Sequence, residues 1–160
     1  MTRIKPVLIA LACGLLLSVT DRQTRDTIVA NQQYAEQAIL REMVPGARIE
    51  IEEPGYRLYR EGEAFARILP VATRAGYNGD IKLLVARSDE GRILAARTLY
   101  HRETPGLGDV IDDPEWMSQF VHMTQSSDWR LSPAGEIDGI TGATITTRAT
   151  ARAIRSVLTP

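Results

Sequence analysis

Residues 80–100 read DIKLLVARS, then DEG, then RILAARTLY. Two apolar-rich runs, Asp80–Ser88 and Arg92–Tyr100, flank Asp89-Glu90-Gly91, a short loop closed by glycine. That is the pattern of an antiparallel hairpin. Upstream, Gly76-Tyr77-Asn78-Gly79 is a second turn signal. The stretch from Tyr56 to Val71 holds short alternating pieces such as Tyr56-Arg57-Leu58-Tyr59-Arg60, which fit half-buried strands. Strand signals therefore run together in a block, with helical signals before and after. This argues against a doubly wound parallel sheet, which needs strands alternating with helices. The expected fold class is α+β: one antiparallel sheet with flanking helices.

Thr104-Pro105-Gly106-Leu107-Gly108 cannot continue a strand and reads as a loop. Asp112-Asp113-Pro114-Glu115 is a helix start, with an Asp cap and Pro at the first helical position. That helix is predicted to run through Trp116 and Phe120 to about Met123. Asp128–Leu131 is predicted as a further strand, and Ser132 to Gly142 as a loop with one short extended piece. From about Thr144 a last helix is predicted, with Ile145, Ala149, Ala153, Ile154, Val157 and Leu158 on its buried face. The tryptophans Trp116 and Trp129 read as packing residues. His101 reads as a surface histidine, and Asp112, Asp113 and Glu115 as helix capping.

The N-terminus departs from an ordinary soluble domain. Arg3 and Lys5 precede an apolar run from Val7 to Val19, and Asp21, Arg22, Arg25 and Asp26 end it. At 1.5 Å per residue that run reaches about 20 Å, and Ile4 to Thr20 about 26 Å, against a hydrocarbon core of roughly 30 Å. The segment fits a single-pass anchor over residues 1–21. A cleaved signal peptide, a lipidated Cys13 or a buried helix are the alternatives. No small-x-small cleavage site follows Val19, and the helical pattern continues through Ile28, Ala35, Ile39 and Met43 to Pro45-Gly46. Cations before the run place the N-terminus in the cytoplasm and the domain of residues 22–160 on the periplasmic side.

Composition removes several function classes. The net charge is -1, from 19 basic and 20 acidic residues, without the clustered basic excess that nucleic acid requires. One cysteine and two histidines do not supply a zinc site or a cysteine-ligated iron–sulfur cluster. Chemistry here must use hydroxyls, carboxylates or a borrowed organic cofactor.

One segment invites such a cofactor. Residues 138–147, DGITGATITT, place Gly142, Ala143 and the hydroxyls of Thr141, Thr144, Thr146 and Thr147 at a helix entrance. Free N–H groups and a positive dipole end suit a phosphate there, and small residues let another molecule approach the backbone. Asp138 stands ready to orient a metal or a hydroxyl. The alternative is a plain helix cap by Thr141 or Thr144. A Walker loop does not fit, since no lysine follows the glycine.

Asp138-Gly-Ile-Thr141-Gly142-Ala143-Thr144 resembles the D-x-x-[S/T]-G-A-[T/S] signature of proteins carrying covalent FMN. Together with His101-Arg102-Glu103-Thr104-Pro105-Gly106-Leu107-Gly108, residues 76–81 and Trp116-x-x-x-Phe120, the chain resembles the FMN-binding G component of the Rnf ion-translocating electron-transport complex. The related C component of the sodium-translocating NADH:quinone reductase shares this domain. The likeness covers the anchor and residues 76–158, and Ala134 stands where a second glycine would precede Gly135. The resemblance implies a bacterial inner-membrane electron carrier whose FMN phosphate is esterified to Thr144. It also implies other membrane subunits of an Rnf-type complex as partners, and a separate flavin transferase that uses FAD and a divalent metal. A threonine hydroxyl is too poor a nucleophile for self-attachment. Leu107 is then expected to wall the flavin, with Glu103 and Thr104 bonding ring or ribityl atoms.

Overall fold

The structure, a computed structural model, describes residues 4–159. Arg3, one of the two cations before the apolar run, lies outside them, and the side chain of Lys5 is likewise not described. Contacts divide the chain into two compact units, residues 1–39 and 40–160. The described residues of the first are all helical. Helix α1 runs Ile4–Met43 without a break and stops before Pro45-Gly46, where Gly46 takes φ +78°. Among the described residues no helix is long and apolar enough to cross a membrane.

The second unit is built on a five-stranded antiparallel meander in chain order: β1 Arg48–Glu52, β2 Gly55–Arg60, β3 Glu63–Gly76, β4 Gly79–Ser88 and β5 Ile93–Tyr100. The Asp89-Glu90-Gly91 loop joins β4 to β5 as the hairpin pattern predicts, with Val85 opposite Ala96 and Ala86 opposite Ala95. On β4, Ile81, Leu83 and Val85 are fully buried on one face, and Leu84 and Ala86 on the other. This is why the strand reads as a continuous apolar run rather than an alternation. Strand β1 went unread in the sequence. Its Ile49 and Ile51 alternate with charges over five residues only.

After β5 come a 3-10 turn (Gly108–Asp112), α2 (Pro114–Ser118) and α3 (Thr144–Ser156). The core lies between the Ile81-Leu83-Val85 face of the sheet and α3, closed by Ile111, Met117, Phe120 and Ile137. Trp116 meets Phe120 edge-on at 5.3 Å, and Trp129 stacks on Phe120 at 6.0 Å, so both tryptophans pack as predicted.

Three expectations need correction. Helix α2 starts as predicted, with the Asp113 carboxylate accepting from Glu115 N–H, but it ends at Ser118 rather than near Met123. His122 turns out with φ +69°, its N–H donates to the Ile93 carbonyl at 2.8 Å, and Ile93 N–H donates back to the Met123 carbonyl at 3.0 Å. Pairing with the start of β5 overrides helical continuation. Asp128–Leu131 is not a strand; only an isolated bridge joins Leu131 to Ile137. On α3, Ile145 is 52% exposed, while Thr146, Thr147 and Thr150 are buried beside Ala149, Ala151, Ala153 and Ile154.

Candidate functional site at the entrance of the last helix

The loop after β5 is organised around one carboxylate. Glu103 is 5% exposed. Its Oε1 accepts from Asn78 N–H at 3.1 Å, and its Oε2 accepts from the Thr146 hydroxyl. Two glycines make room for it. A Cβ at Gly76 would stand 2.6 Å from Glu103 Oε1, and one at Gly108 would stand 2.7 Å from Glu103 Cβ. The carboxylate thus ties the β3–β4 turn, the loop and α3 together. The Asn78 side-chain amide also donates to Thr104 Oγ1 at 3.2 Å.

His101 is not a free surface residue. Its side chain is 14% exposed. Glu103 N–H donates to its Nδ1 at 3.0 Å, so in the neutral ring the proton sits on Nε2, which reaches Asp112 Oδ2 at 2.8 Å. The histidine clamps the loop to the 3-10 turn. Within the loop, Leu107 and Gly108 N–H groups donate to the Thr104 carbonyl, and Gly106, at φ +75°, donates to Asp109 Oδ2. This tight turn pushes Leu107 outward.

The DGITGAT segment is held from below. Trp116 Nε1 donates to the Asp138 carbonyl at 3.0 Å, and Asp138 N–H donates to Gln119 Oε1 at 2.7 Å. The Asp138 side chain itself is exposed. Among the described residues no three His, Cys, Asp or Glu side chains gather as a metal site. Just upstream, Arg130 forks onto Asp128 at 2.6–3.2 Å. Those guanidinium bonds hold the Asp128 carboxyl down to about 2.

At the helix entrance Gly142 takes φ +87°, a conformation that glycine adopts without strain. A Cβ there would stand 3.0 Å from Leu107 Cδ1, so the loop residue lies directly against the helix entrance. The first intrahelical bond runs from Thr147 N–H to the Ala143 carbonyl at 2.9 Å. The N–H groups of Thr144, Ile145 and Thr146 therefore have no intrahelical acceptor, and no side chain caps them. Neither Thr141 nor Thr144 acts as a cap, which removes the plain-cap alternative. Thr141, Gly142, Thr144 and Ile145 are exposed around these donors, Ala143 is buried, and Leu107 is 42% exposed beside them. An open hydroxyl, three free N–H donors and an aliphatic wall fit a phosphate with a flat apolar group attached.

Comparison with known proteins agrees. A profile of the FMN-binding domain matches residues 76–159. The G component of the ion-translocating oxidoreductase complex of Shewanella baltica is 33% identical over 94% of this chain and 84% of its own length. The chain belongs to this FMN-binding family. The corresponding G component from Vibrio vulnificus is 30% identical over 89% of this chain and 80% of its own. The fold recurs in the crystal structure of NqrC from Shewanella oneidensis, with TM-score 0.54 at 20% identity over 72% of this chain and 64% of that one. It recurs also in the C component of the Na(+)-translocating NADH-quinone reductase from Parabacteroides distasonis, with TM-score 0.53 at 22% identity over 65% of this chain and 58% of that one. The chain thus spans less than two thirds of either solved relative.

The structure sets Leu107 against Gly142, next to Ala143 and Thr144 in the chain. It places Glu103 beneath them, with its oxygens occupied by protein donors. Thr146 escaped the sequence reading as a structural residue. Its position two residues after Thr144 was the available signal, because at 100° per residue it must face away from an exposed Thr144.

Proposed function

We propose that this protein is a membrane-anchored electron carrier of an Rnf-type ion-translocating complex, with FMN joined by a phosphoester to Thr144. The observation that carries the reading is the exposed Thr144 hydroxyl among three uncapped N–H groups, with Leu107 beside it. Those N–H groups would hold the phosphate, Leu107 would wall the ring, and Gly142 admits the close approach. Thr104 lines the same loop, and Glu103 acts from beneath as a positioning residue. When bound, FMN supplies one- and two-electron transfer, and the chain supplies place and orientation. Among the described residues no base contacts the Thr144 hydroxyl, which favours attachment by a separate flavin transferase over self-attachment. The named relatives support the partners: other membrane subunits of the complex.

The anchor reading rests on α1. Seven aliphatic side chains from Val7 to Val19 stand 45–69% exposed on it. So much apolar surface calls for a non-aqueous surrounding. The reading places residues 1–21 in the bacterial inner membrane as one pass, with residues 22–160 on the periplasmic side.

Intact mass of protein made with and without a co-expressed flavin transferase tests the linkage. A flavin mononucleotide adduct is expected only with the transferase, and it should vanish in Thr144→Ala. That variant should lose less than about 0.5 kcal/mol of stability, since Thr144 makes no cap bond. Adduct retained on Thr144→Ala would refute the assignment and point to Thr141, because Thr146 is buried.

A further inference from the structure

A second surface begins one helical turn from Thr144. Arg148, Arg152 and Arg155 follow it at i+4, i+8 and i+11, all exposed, so Thr144 and the three guanidiniums share one stripe of α3. The three arginines line a groove of about 570 Å³ with Trp129, Leu131 and Ala134. The fourth arginine there, Arg130, is neutralised by Asp128 at 2.6 Å. Among the described residues the other three have no ion-pair partner. The chain is -1 overall, so the rest of it carries -4 against this +3 stripe. Three guanidiniums without ion-pair partners, side by side on one stripe, attract negatively charged groups.

We propose that this groove docks an acidic segment of a partner protein, with carboxylates about one helical turn apart and an apolar residue between them. The row from Arg148 to Arg155 is about 10 Å long, which suits several carboxylates in line rather than one phosphate. The recess and its Trp129-Leu131 wall take an inserted side chain, which a flat bilayer surface does not offer. A segment lying on the row ends beside Thr144, so a redox partner would arrive next to the flavin; this last point rests on the proposed attachment site. Arginine forks favour carboxylate recognition and steer association in a salt-dependent way.

The test places a photo-crosslinking residue at Arg152 of the full chain in membranes of the native host. The crosslinked peptide is then identified by mass spectrometry. One crosslinked polypeptide is expected, with two or more carboxylates within a helical turn of the adduct. Raising salt to about 0.5 M should cut the yield several-fold. Arg148→Gln/Arg155→Gln should cut it similarly without changing the far-ultraviolet spectrum. The yield should persist in Thr144→Ala, so a failed flavin assignment and a failed groove are told apart. A lipid adduct, a crosslinked segment without acidic residues, no adduct, or a yield indifferent to salt and to both arginines overturns the proposal.

Discussion

Helix α1 exposes aliphatic side chains over residues 7–19, and helix α3 buries three hydroxyls in the core. Along α1, Leu15, Leu16 and Leu17 each stand 64–69% exposed on consecutive positions, so no single face is apolar. Along α3, the hydroxyls of Thr146, Thr147 and Thr150 are turned into the core beside Ala149 and Ile154. The difference teaches where each helix finds its partner. Apolar surface in water is relieved only by something outside the chain. A buried hydroxyl looks for its acceptor within the chain; two of these three find one, and Thr150 Oγ1 has none among the described residues. Thr147 bonds the carbonyls of its own helix at 3.1 and 3.3 Å. Thr146 bonds Glu103 instead, from a loop 43 residues away.

The contrast breaks most visibly at α1. A chain starting at residue 22 should be soluble and monomeric without detergent, while the full chain should need it. Detergent phase partition with size-exclusion chromatography reads this. A full chain that stays dispersed in plain buffer would remove the anchor.

Within α3, the two isoleucines should differ sharply. Ile154→Ala deletes a fully buried side chain and should cost about 2–5 kcal/mol. Ile145→Ala should stay within about 0.5 kcal/mol. Urea titrations of both variants measure it, and equal losses would mean that Ile145 packs on something.

The next effect sharpens the role of the buried hydroxyl. Glu103→Ala leaves Asn78 N–H and the Thr146 hydroxyl without their acceptor, a loss of about 1–3 kcal/mol. Glu103→Gln keeps an acceptor oxygen and should lose less. Thr146→Val should cost less in the Glu103→Ala background than alone, because the pair acts as a unit. Strict additivity in that cycle would dissolve the link between loop and helix.

The smallest effect is at Asp128. Arg130 holds its carboxyl down to about 2, below the ordinary value of about 3.9. A depressed carboxyl contributes stability above its unfolded value and loses it as pH falls through the folded one. The window is therefore about pH 4 down to about 2. The pair is solvent-exposed, so the change should show in the Asp128 carboxyl resonance rather than in unfolding. Arg130→Gln should move that midpoint back up.

Much of the domain was legible in order. The hairpin around Asp89-Glu90-Gly91, the Gly76–Gly79 turn and the starts of α2 and α3 all stand where local chemistry puts them, since each is specified within a few residues. What failed depended on distant partners. Helix α2 stops early because Ile93 pairs with residues 122 and 123. The face of α3 was misread because an aliphatic period favoured Ile145 over threonines. Strand β1 is held by register, with Ile49 opposite Leu58 and Ile51 opposite Tyr56, more than by its own pattern.

The site divides along the same line. The sequence by itself determined the apolar run of Val7–Val19, the block of strands, and a hydroxyl-rich helix entrance at Thr144, because apolar period and turn glycines are written in adjacent residues. Only the tertiary structure decided that Glu103 lies beneath that entrance rather than within it. It alone set Leu107 against Gly142, and aligned Arg148, Arg152 and Arg155 along a groove with Trp129. Those outcomes depend on which buried donor meets which acceptor, and that is settled only when distant segments pack together.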